Sequence, residues 1–358
     1  MPMSSLPSDR NAAPAPRFGR HRRRPLVVVA VAAALLAAGC SEADDPKTAV
    51  PAAGSPSSGA PGTETAAAFP RTVKTALGDV VIPRRPERIV TVGFPTGTAD
   101  AAIASGVVPV GMPKAVGAPD GIDPWIVPKL NGKKPTLIEA NKVDIEQIAA
   151  LKPDLILAGQ HRAAADDYAK LSKIAPVITY EGAAAFQDTW QQQTQLIGKA
   201  LGTEKEAAAA IARVEAKFAE IRAKHPSWNG KTFTFTQGGS LAQIPTVTDP
   251  NEASARMFAA FGLQLDPKVT ALGAKREVSA ERLDTIDAGL VVMFFPSADA
   301  QKTFEANAVF SNIPAVKEGR YITVDSAQAF ALISPGVLNV EWAIDQILPK
   351  LEMALGAS

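Results

Sequence analysis

The sequence predicts an α/β protein with two Rossmann-like lobes, each built on a mainly parallel sheet, joined by a single long backbone helix. Three observations lead to this fold class. Short apolar runs bounded by glycine and proline alternate with segments of helical periodicity, the alternation occurs twice, and a long helical region separates the two occurrences. Strand–helix–strand alternation is typical of parallel sheets covered by helices. The predicted lobes span residues 69–186 and 226–358, with the helical region at 187–225.

The first lobe begins with a predicted hairpin, because Arg71–Ala76 and Asp79–Ile82 flank a turn at Gly78. Asp144–Leu151 carries apolar residues at helical spacing and predicts a helix. Apolar runs closed by turn residues are typical of buried strands. This pattern predicts three of them, at Ile89–Val92, Val107–Gly111 and Leu155–Gly159.

The middle of the chain predicts two helices. The first runs over 187–201 and ends at Gly202, a residue that favours the left-handed conformation of a helix end. Thr203 and Glu206 have the spacing of a capping box, which predicts the start of the second helix. That helix continues to residue 224, where Pro226 prevents further extension. At 1.5 Å per residue it is about 30 Å long, enough to connect two lobes.

The second lobe repeats the alternation of strands and helices. Thr232–Thr236 alternates as a strand does, and the loop 237–240 follows it. Further strands are predicted at Leu290–Phe295 and Tyr321–Asp325. The predicted helices are Ala253–Phe261, Ala280–Ile286 and a closing helix over 337–351.

Residues 1–39 have the features of a lipoprotein signal peptide. A basic stretch precedes the apolar run Leu26–Ala38, which is shorter than the roughly 20 residues needed to span a bilayer. The run ends in Leu-Ala-Ala-Gly-Cys, so Cys40 is the expected lipidation site; the alternative is an ordinary cleaved signal followed by a stray cysteine. Residues 40–68 are rich in small residues, proline and glycine, which predicts a flexible tether.

Composition excludes several classes of function. A formal net charge of +1 gives no bulk attraction to nucleic acid. Three histidines and one cysteine are too few for a bare metal-ion receptor, which needs three or four converging ligands. The chain contains no Gly-x-Ser-x-Gly motif, and its lone cysteine is assigned to lipid, so no enzymatic activity is expected.

Several motifs, in order, resemble the iron-siderophore receptors of ABC importers. They are carried by five segments: 78–90, 145–157, 168–176, 278–287 and 310–321. The resemblance covers residue 69 to the carboxyl end. It implies a rigid, monomeric, two-lobed protein, anchored by lipid on the outer side of the cell membrane. Such a protein delivers a ferric siderophore to membrane permease subunits, with no cofactor of its own. There are two alternatives. One is a protein of the same fold that binds haem or a corrinoid, and the other is a surface adhesion module that takes no part in transport.

In open α/β sheets, ligands bind on loops at the carboxyl ends of strands. Seven such loops are predicted, at 93–98, 115–125, 160–165, 237–240, 273–276, 296–300 and 325–333. A ferric siderophore calls for aromatic surfaces and cationic donors. The expected ligand-binding residues are therefore Phe94, Trp125, His161, Arg162, Gln237, Arg276, Phe295 and Phe330. The alternative for the phenylalanines is core packing, and for His161 it is a solvated loop position, unless the ligand is haem.

Overall fold

A computed structural model of the protein describes residues 69–140 and 142–356. The signal peptide, Cys40 and the tether lie outside these residues. The strands are β1 (Arg71–Thr75), β2 (Gly78–Ile82), β3 (Ile89–Thr91), β4 (Gly111–Pro113), β5 (Thr136–Ile138), β6 (Leu155–Leu157), β7 (Val177–Ile178), β8 (Thr232–Gln237), β9 (Ile244–Pro245), β10 (Gln264–Leu265), β11 (Glu277–Val278), β12 (Leu290–Phe294) and β13 (Tyr321–Val324).

The helices include two of about twenty residues. In order they are α1 (Thr98–Ala104), α2 (Ile145–Ala150), α3 (Ala164–Leu171), α4 (Trp190–Leu201), α5 (Glu204–Lys224), α6 (Ala253–Ala260), α7 (Pro267–Thr270), α8 (Ala298–Glu305), α9 (Ala308–Ser311), α10 (Pro314–Lys317), α11 (Ser326–Ile333) and α12 (Val337–Leu355). Short 3-10 turns occur at Val127–Lys129, Pro226–Trp228, Gly273–Lys275 and Ala280–Ile286.

Two parallel sheets confirm the predicted fold class. The first has the strand order β5-β4-β3-β6-β7 and the second has the order β10-β8-β12-β13. The chain crosses from the first to the second through α4 and α5. The predicted hairpin forms as the antiparallel pair β1–β2, and a small antiparallel pair, β9–β11, lies beside the second sheet.

The closing helix α12 packs beside α5, and the two run in the same direction. Three ion pairs join them, and in each the partners are 128 residues apart: Arg213–Glu341, Lys217–Asp345 and Lys224–Glu352. A constant separation means that the two helices keep one register along their length. Partly exposed ion pairs stabilise a fold only modestly, so the apolar contacts beneath them contribute more.

One buried apolar cluster extends through both halves of the described chain. It includes Ile103 and Trp125 from the first half, Phe258 and Leu290 from the second, and Phe218 of α5 between them. Because this cluster holds residues of both sheets, Met112 of β4 and Leu290 of β12, relative movement of the two sheets would expose packed apolar surface and is costly.

Several local predictions were wrong. The fourth strand begins at Gly111 rather than Val107, because Pro109 lacks the N–H that an interior strand donates. Residues 325–333, predicted as a loop, form α11, which Asp325 caps by accepting from the Gln328 N–H at 2.9 Å. Residues 280–286 form a 3-10 turn with a non-helical Arg282 instead of an α-helix.

The predicted capping box at Thr203 was also wrong. The backbone of Thr203 (φ −128°, ψ 38°) follows a left-handed Gly202, and its hydroxyl has no hydrogen-bond partner among the described residues. The capping box lies one helix earlier: the Gln192 N–H donates to the Thr189 hydroxyl at 3.1 Å, and Gln192 accepts from the Thr189 N–H at 2.8 Å. The left-handed end at Gly202 is confirmed, with φ of 70°.

Candidate ligand-binding site

A cavity of about 880 Å³ lies at the carboxyl ends of strands from both sheets, and we call it the cleft. Phe94, Arg162 and Phe186 reach it from loops after β3, β6 and β7, and Gln237 and Phe294 end β8 and β12. The other lining residues are Gln187, Phe235, Thr236, Pro245, Thr246, Val247, Asp249, Asn251, Glu252, Ala253, Ser254, Arg256, Arg276, Glu277, Ile333 and Ser334. This is the edge at which open α/β sheets bind ligands.

Three aromatic rings form a group at the cleft. The Phe94 ring centroid lies 5.8 Å from that of Phe186, edge to face, and 5.9 Å from that of Phe330. All three side chains are only partly buried. A group of partly exposed rings offers an apolar, polarisable surface on which a flat ligand group can stack.

Gly93 sets the position of Phe94. Its φ of 97° suits glycine, and a Cβ at this position would lie 2.6 Å from the Gln160 carbonyl oxygen. The close approach of the two loops lets the Phe94 N–H donate to that same oxygen at 3.0 Å. The loops after β3 and β6 are thereby fixed to each other, and both reach the cleft.

Two arginines at the cleft have no carboxylate partner among residues 69–140 and 142–356. Arg162 lies with its guanidinium carbon 4.7 Å from the Phe186 ring centroid, a cation–π arrangement, and Arg256 projects from α6. A third, Arg276, pairs with Glu252. Guanidinium groups without a carboxylate partner are ready donors for ligand oxygens, since they bind carboxylates and similar anions through two parallel hydrogen bonds.

The cleft also carries acidic groups. Asp249, Glu252 and Glu277 line it, so three carboxylates balance its three arginines. All three carboxylates belong to the second half of the chain, whereas Arg162 and the rings of Phe94 and Phe186 belong to the first. The site is therefore suited to a ligand whose polar groups lie apart from one another, rather than to a ligand that is negatively charged all over.

A buried polar seam adjoins the cleft at Ser334. The Thr96 hydroxyl donates to the Ser334 carbonyl oxygen at 3.0 Å, and the Ser334 hydroxyl donates to Gln160 Oε1 at 3.1 Å. The seam ties the loops after β3 and β6 to the segment between α11 and α12. Hydrogen bonds between buried groups are costly to break, so this part of the wall is well fixed.

Asp100 lies at the inner end of the seam. Its carboxylate accepts from Trp125 Nε1 at 3.0 Å and from the backbone N–H of Asn339, in the first turn of α12, at 2.9 Å. Burial raises the pKa of Asp100 to about 7, against these two hydrogen bonds, which lower it. Burial likewise raises the pKa of nearby Asp123 to about 6.

The structure brings four of the eight expected ligand-binding residues into the cleft lining and a fifth beside it. Phe94, Arg162, Gln237 and Arg276 line it directly, and Phe330 contacts the Phe94 ring beside it. Contact with a ligand remains a prediction for each of them.

The other three are in different places from those expected. Trp125 is 4% exposed, packs against Trp342 at 5.0 Å between ring centroids, and uses its indole N–H on Asp100. Phe295 packs in the core against Phe304. The Phe295 ring also lies so close to Gly238 that a Cβ on Gly238 would be 2.0 Å from it. Neither side chain lines the cleft: Trp125 is held inward by its hydrogen bond and ring contact, and Phe295 by apolar packing.

His161 is neither a cleft residue nor a solvated one. It is 6% exposed, and its Nε2 lies 2.8 Å from Asp167 Oδ2 at the start of α3. The ring nitrogen that would coordinate an iron porphyrin is thus engaged by a carboxylate. The second described histidine, His225, is fully buried, with its ring stacked on Trp228 at 4.0 Å.

Several cleft residues were not predicted from the sequence. Phe186 lies in an alanine-rich loop after β7, a two-residue strand too short to be recognised. Arg256 lies within α6, whereas the strand-end rule directs attention to loops. The segment 245–254 is brought in by β9, which pairs with β11 far along the chain. A lone aromatic in a small-residue loop and a lone arginine in an apolar helix were the available signals.

Two further findings concern the described residues as a whole. They contain no group of three or more His, Cys, Asp and Glu side chains arranged to hold a metal ion. No helix among them has both the length and the apolar character needed to cross a membrane.

Comparison with known families gives a match over most of the chain. A family model described as periplasmic binding protein matches residues 98–328. The match includes the whole second sheet, the first sheet apart from β3, and the helices that connect their strands.

Two relatives and one solved structure are similar over most of their length. The Fe(3+) dicitrate-binding periplasmic protein FecB of Escherichia coli K12 is 26% identical over 72% of this chain and 83% of that protein. The "probable siderophore-binding lipoprotein" YfiY of Bacillus subtilis is 28% identical over 71% and 80%. The crystal structure of Streptococcus pneumoniae PiaA with ferrichrome superimposes with a TM-score of 0.68 at 27% identity, over 80% of this chain and 99% of that one.

Proposed function

The chain belongs to the periplasmic binding protein family, and we propose that it captures a ferric siderophore or a related ferric chelate for an ABC importer. The family consists of substrate-binding proteins, and the relatives named above bind ferric dicitrate, a siderophore or ferrichrome. The chelate is the cargo of the protein. It brings its own iron, so no resident cofactor is needed.

The observation that carries this proposal is the presence, in one region, of aromatic rings and of arginines that have no carboxylate partner among the described residues. Phe94, Phe186 and Phe330 offer the apolar surface, while Arg162 and Arg256 offer donors to ligand oxygens. Ferric chelates present oxygen ligands around the metal and apolar or aromatic groups at their periphery. A cleft of about 880 Å³ is within the size range of small-molecule sites.

We place the protein on the outer face of the cell membrane, held by lipid on Cys40. The basic and apolar segments that precede Cys40, and the tether after it, support this location. A relative named as a lipoprotein supports it as well. Permease subunits of an ABC importer are the proposed partners, and the protein is expected to act as a monomer.

Titration calorimetry on the purified protein tests the ligand class. Ferric dicitrate, ferrichrome and ferrioxamine B are titrated beside their iron-free forms. We expect saturable one-site binding of at least one ferric chelate, at least tenfold tighter than its iron-free form. If none of the three chelates shows saturable binding, the proposal is overturned.

Haemin is titrated in parallel by absorbance. Because His161 Nε2 is hydrogen-bonded to Asp167, we do not expect His161 to bind haem iron. The Soret band of added haemin should therefore be the same with the protein and with the His161→Ala variant. A Soret shift that His161→Ala abolishes would reassign the protein to haem.

A further inference from the structure

A second cavity of about 640 Å³ lies against the long helix α5. Its lining has more apolar than polar residues. The apolar ones include Trp190 of α4, Phe218, Ala216 and Ala219 of α5, Met257 of α6, and Pro335, and the polar or charged ones are Thr189, Gln191, Glu215, Arg222 and Arg256. Trp190, Phe218 and Met257 are buried, whereas Ala216 and Ala219 are exposed on the outer face of the helix. The cavity is thus an apolar recess with small residues on one side.

The second cavity adjoins the cleft along a shared border. Three chain segments contribute to both. Residues 186–187 line the cleft and 189–191 the second cavity, while residues 333–334 line the cleft and Pro335 the second cavity. Ala253 and Arg256 line both. The two cavities therefore meet along one border, at Ala253 and Arg256.

Arg256 stands where the two spaces meet. Its guanidinium has no carboxylate partner among the described residues, although Glu215 lines the second cavity with it. Glu215 instead accepts from Gln191 Nε2 at 3.4 Å, and Arg222 donates to the Ala260 carbonyl oxygen at 2.6 Å. Arg256 is thus the free donor at the junction of a polar cleft and an apolar recess.

We infer that the second cavity binds an apolar arm of the chelate held in the cleft, so that the preferred ligand is an amphiphilic ferric chelate. Arg256 would bind the carbonyl or carboxylate group that joins the arm to the iron-binding head. This inference rests on the proposed function and adds the shape of the substrate to it. Burial of each additional methylene strengthens binding severalfold until the cavity is filled or chain ordering offsets the gain.

The test compares ferric chelates that differ only in an alkyl arm. One pair is N-acetyl- and N-decanoyl-ferrioxamine B. The other is ferric dicitrate and the ferric complex of citrate alkylated with n-octyl at one methylene carbon. Within each pair the charge and the iron-binding groups are the same. Titration calorimetry gives the ratio of dissociation constants for the protein and for two double variants.

The first variant, Ala216→Leu with Ala219→Leu, fills the recess from α5. The control, Ala209→Leu with Ala212→Leu, makes the same change at the same spacing on exposed positions of α5 that do not line the recess. Leucine is nearly as good a helix former as alanine, so both variants should fold, which circular dichroism checks.

We expect the long-arm chelate to bind at least tenfold more tightly than the short one, in the protein and in the control, and this gain to be lost in the Ala216/Ala219 variant. If the long-arm chelate binds no more tightly in any pair whose short member binds, the inference is overturned and the proposed function is left intact. A gain that persists in the Ala216/Ala219 variant would also overturn it. If neither short chelate binds, a long-arm chelate that also fails to bind overturns the inference. The proposed function fails only if ferrichrome does not bind either.

Discussion

Replacement of Asp100 by asparagine is predicted to change the stability of the protein in opposite ways at high and low pH. Asp100 is fully buried and holds Trp125 and the first turn of α12 beside the cleft. Asparagine has nearly the same shape and cannot ionise. The substitution removes the free-energy cost of burying an ionised carboxylate. However, the single amide oxygen of asparagine cannot accept both hydrogen bonds.

The magnitude follows from the raised pKa. The ordinary value of 3.8 holds in the unfolded chain, and burial raises the folded value to about 7. At 1.36 kcal/mol per pKa unit, this difference corresponds to about 4 kcal/mol. The stability that the protonated form provides is complete below pH 3.8 and is lost as the pH rises to about 7. A lost hydrogen bond costs about 1 to 2 kcal/mol at any pH.

Urea unfolding at pH 4.5 and pH 8 measures both effects. At pH 8, Asp100→Asn is expected to raise the free energy of unfolding by about 2 to 3 kcal/mol; at pH 4.5 the change should be near zero or slightly destabilising. Asp120→Asn is the control, because Asp120 is exposed on a neighbouring loop and should change little at either pH. Equal destabilisation by Asp100→Asn at both pH values would refute the reasoning. It would mean that Asp100 is ionised in the folded protein at both pH values and accepts its hydrogen bonds as a carboxylate.

Three further predictions concern chelate binding, measured by calorimetry with the ferric chelate that binds most tightly. Arg162→Gln removes a cationic donor that stacks on Phe186 and has no carboxylate partner in the described part of the chain, and it is expected to weaken binding about 10- to 100-fold. Phe94→Leu keeps the apolar volume but removes the ring that contacts Phe186 and Phe330, so binding should weaken about 3- to 10-fold. Glu252→Gln releases Arg276 from its ion pair, which should tighten binding of ferric dicitrate severalfold and steepen its dependence on salt.

Each of these predictions has an outcome that contradicts it. Arg282→Gln is the matched control for Arg162, since Arg282 is an exposed arginine outside the cleft. Equal effects of the two glutamine substitutions would remove Arg162 from the site. Unchanged affinity in Phe94→Leu would mean that the rings only pack against one another. Weaker ferric dicitrate binding in Glu252→Gln would show that this ion pair is needed to shape the cleft.

The fold was accessible from the sequence because its strongest signals are local. Leu290–Phe294 and Thr232–Gln237 are continuous or alternating apolar runs, and both form interior strands of the second sheet. The long helix α5 is marked by Gly202 before it and Pro226 after it. Elements that depend on distant partners were missed. The two residues of β9 form a strand only because β11, about thirty residues later, pairs with them.

The site was only partly predictable for a related reason. The strand-end rule identified Phe94 and Arg162, whose loops directly follow strands of the sheets, and Gln237, which ends β8. It does not say which way a side chain points. Trp125 lies in a predicted loop, yet its hydrogen bond to Asp100 and its contact with Trp342 turn it inward. Arg256 was missed because its helix reaches the cleft through tertiary packing, which no local pattern records.

The position of the bound iron tests the central claim most directly. Crystals of the protein grown with a ferric chelate, and measured at the iron absorption edge, locate the metal by its anomalous signal. We predict a single strong peak inside the cleft, with chelate oxygens within hydrogen-bond distance of Arg162 or Arg256. An iron peak elsewhere on the protein, or a cleft that stays empty while the chelate binds in solution, would contradict the account.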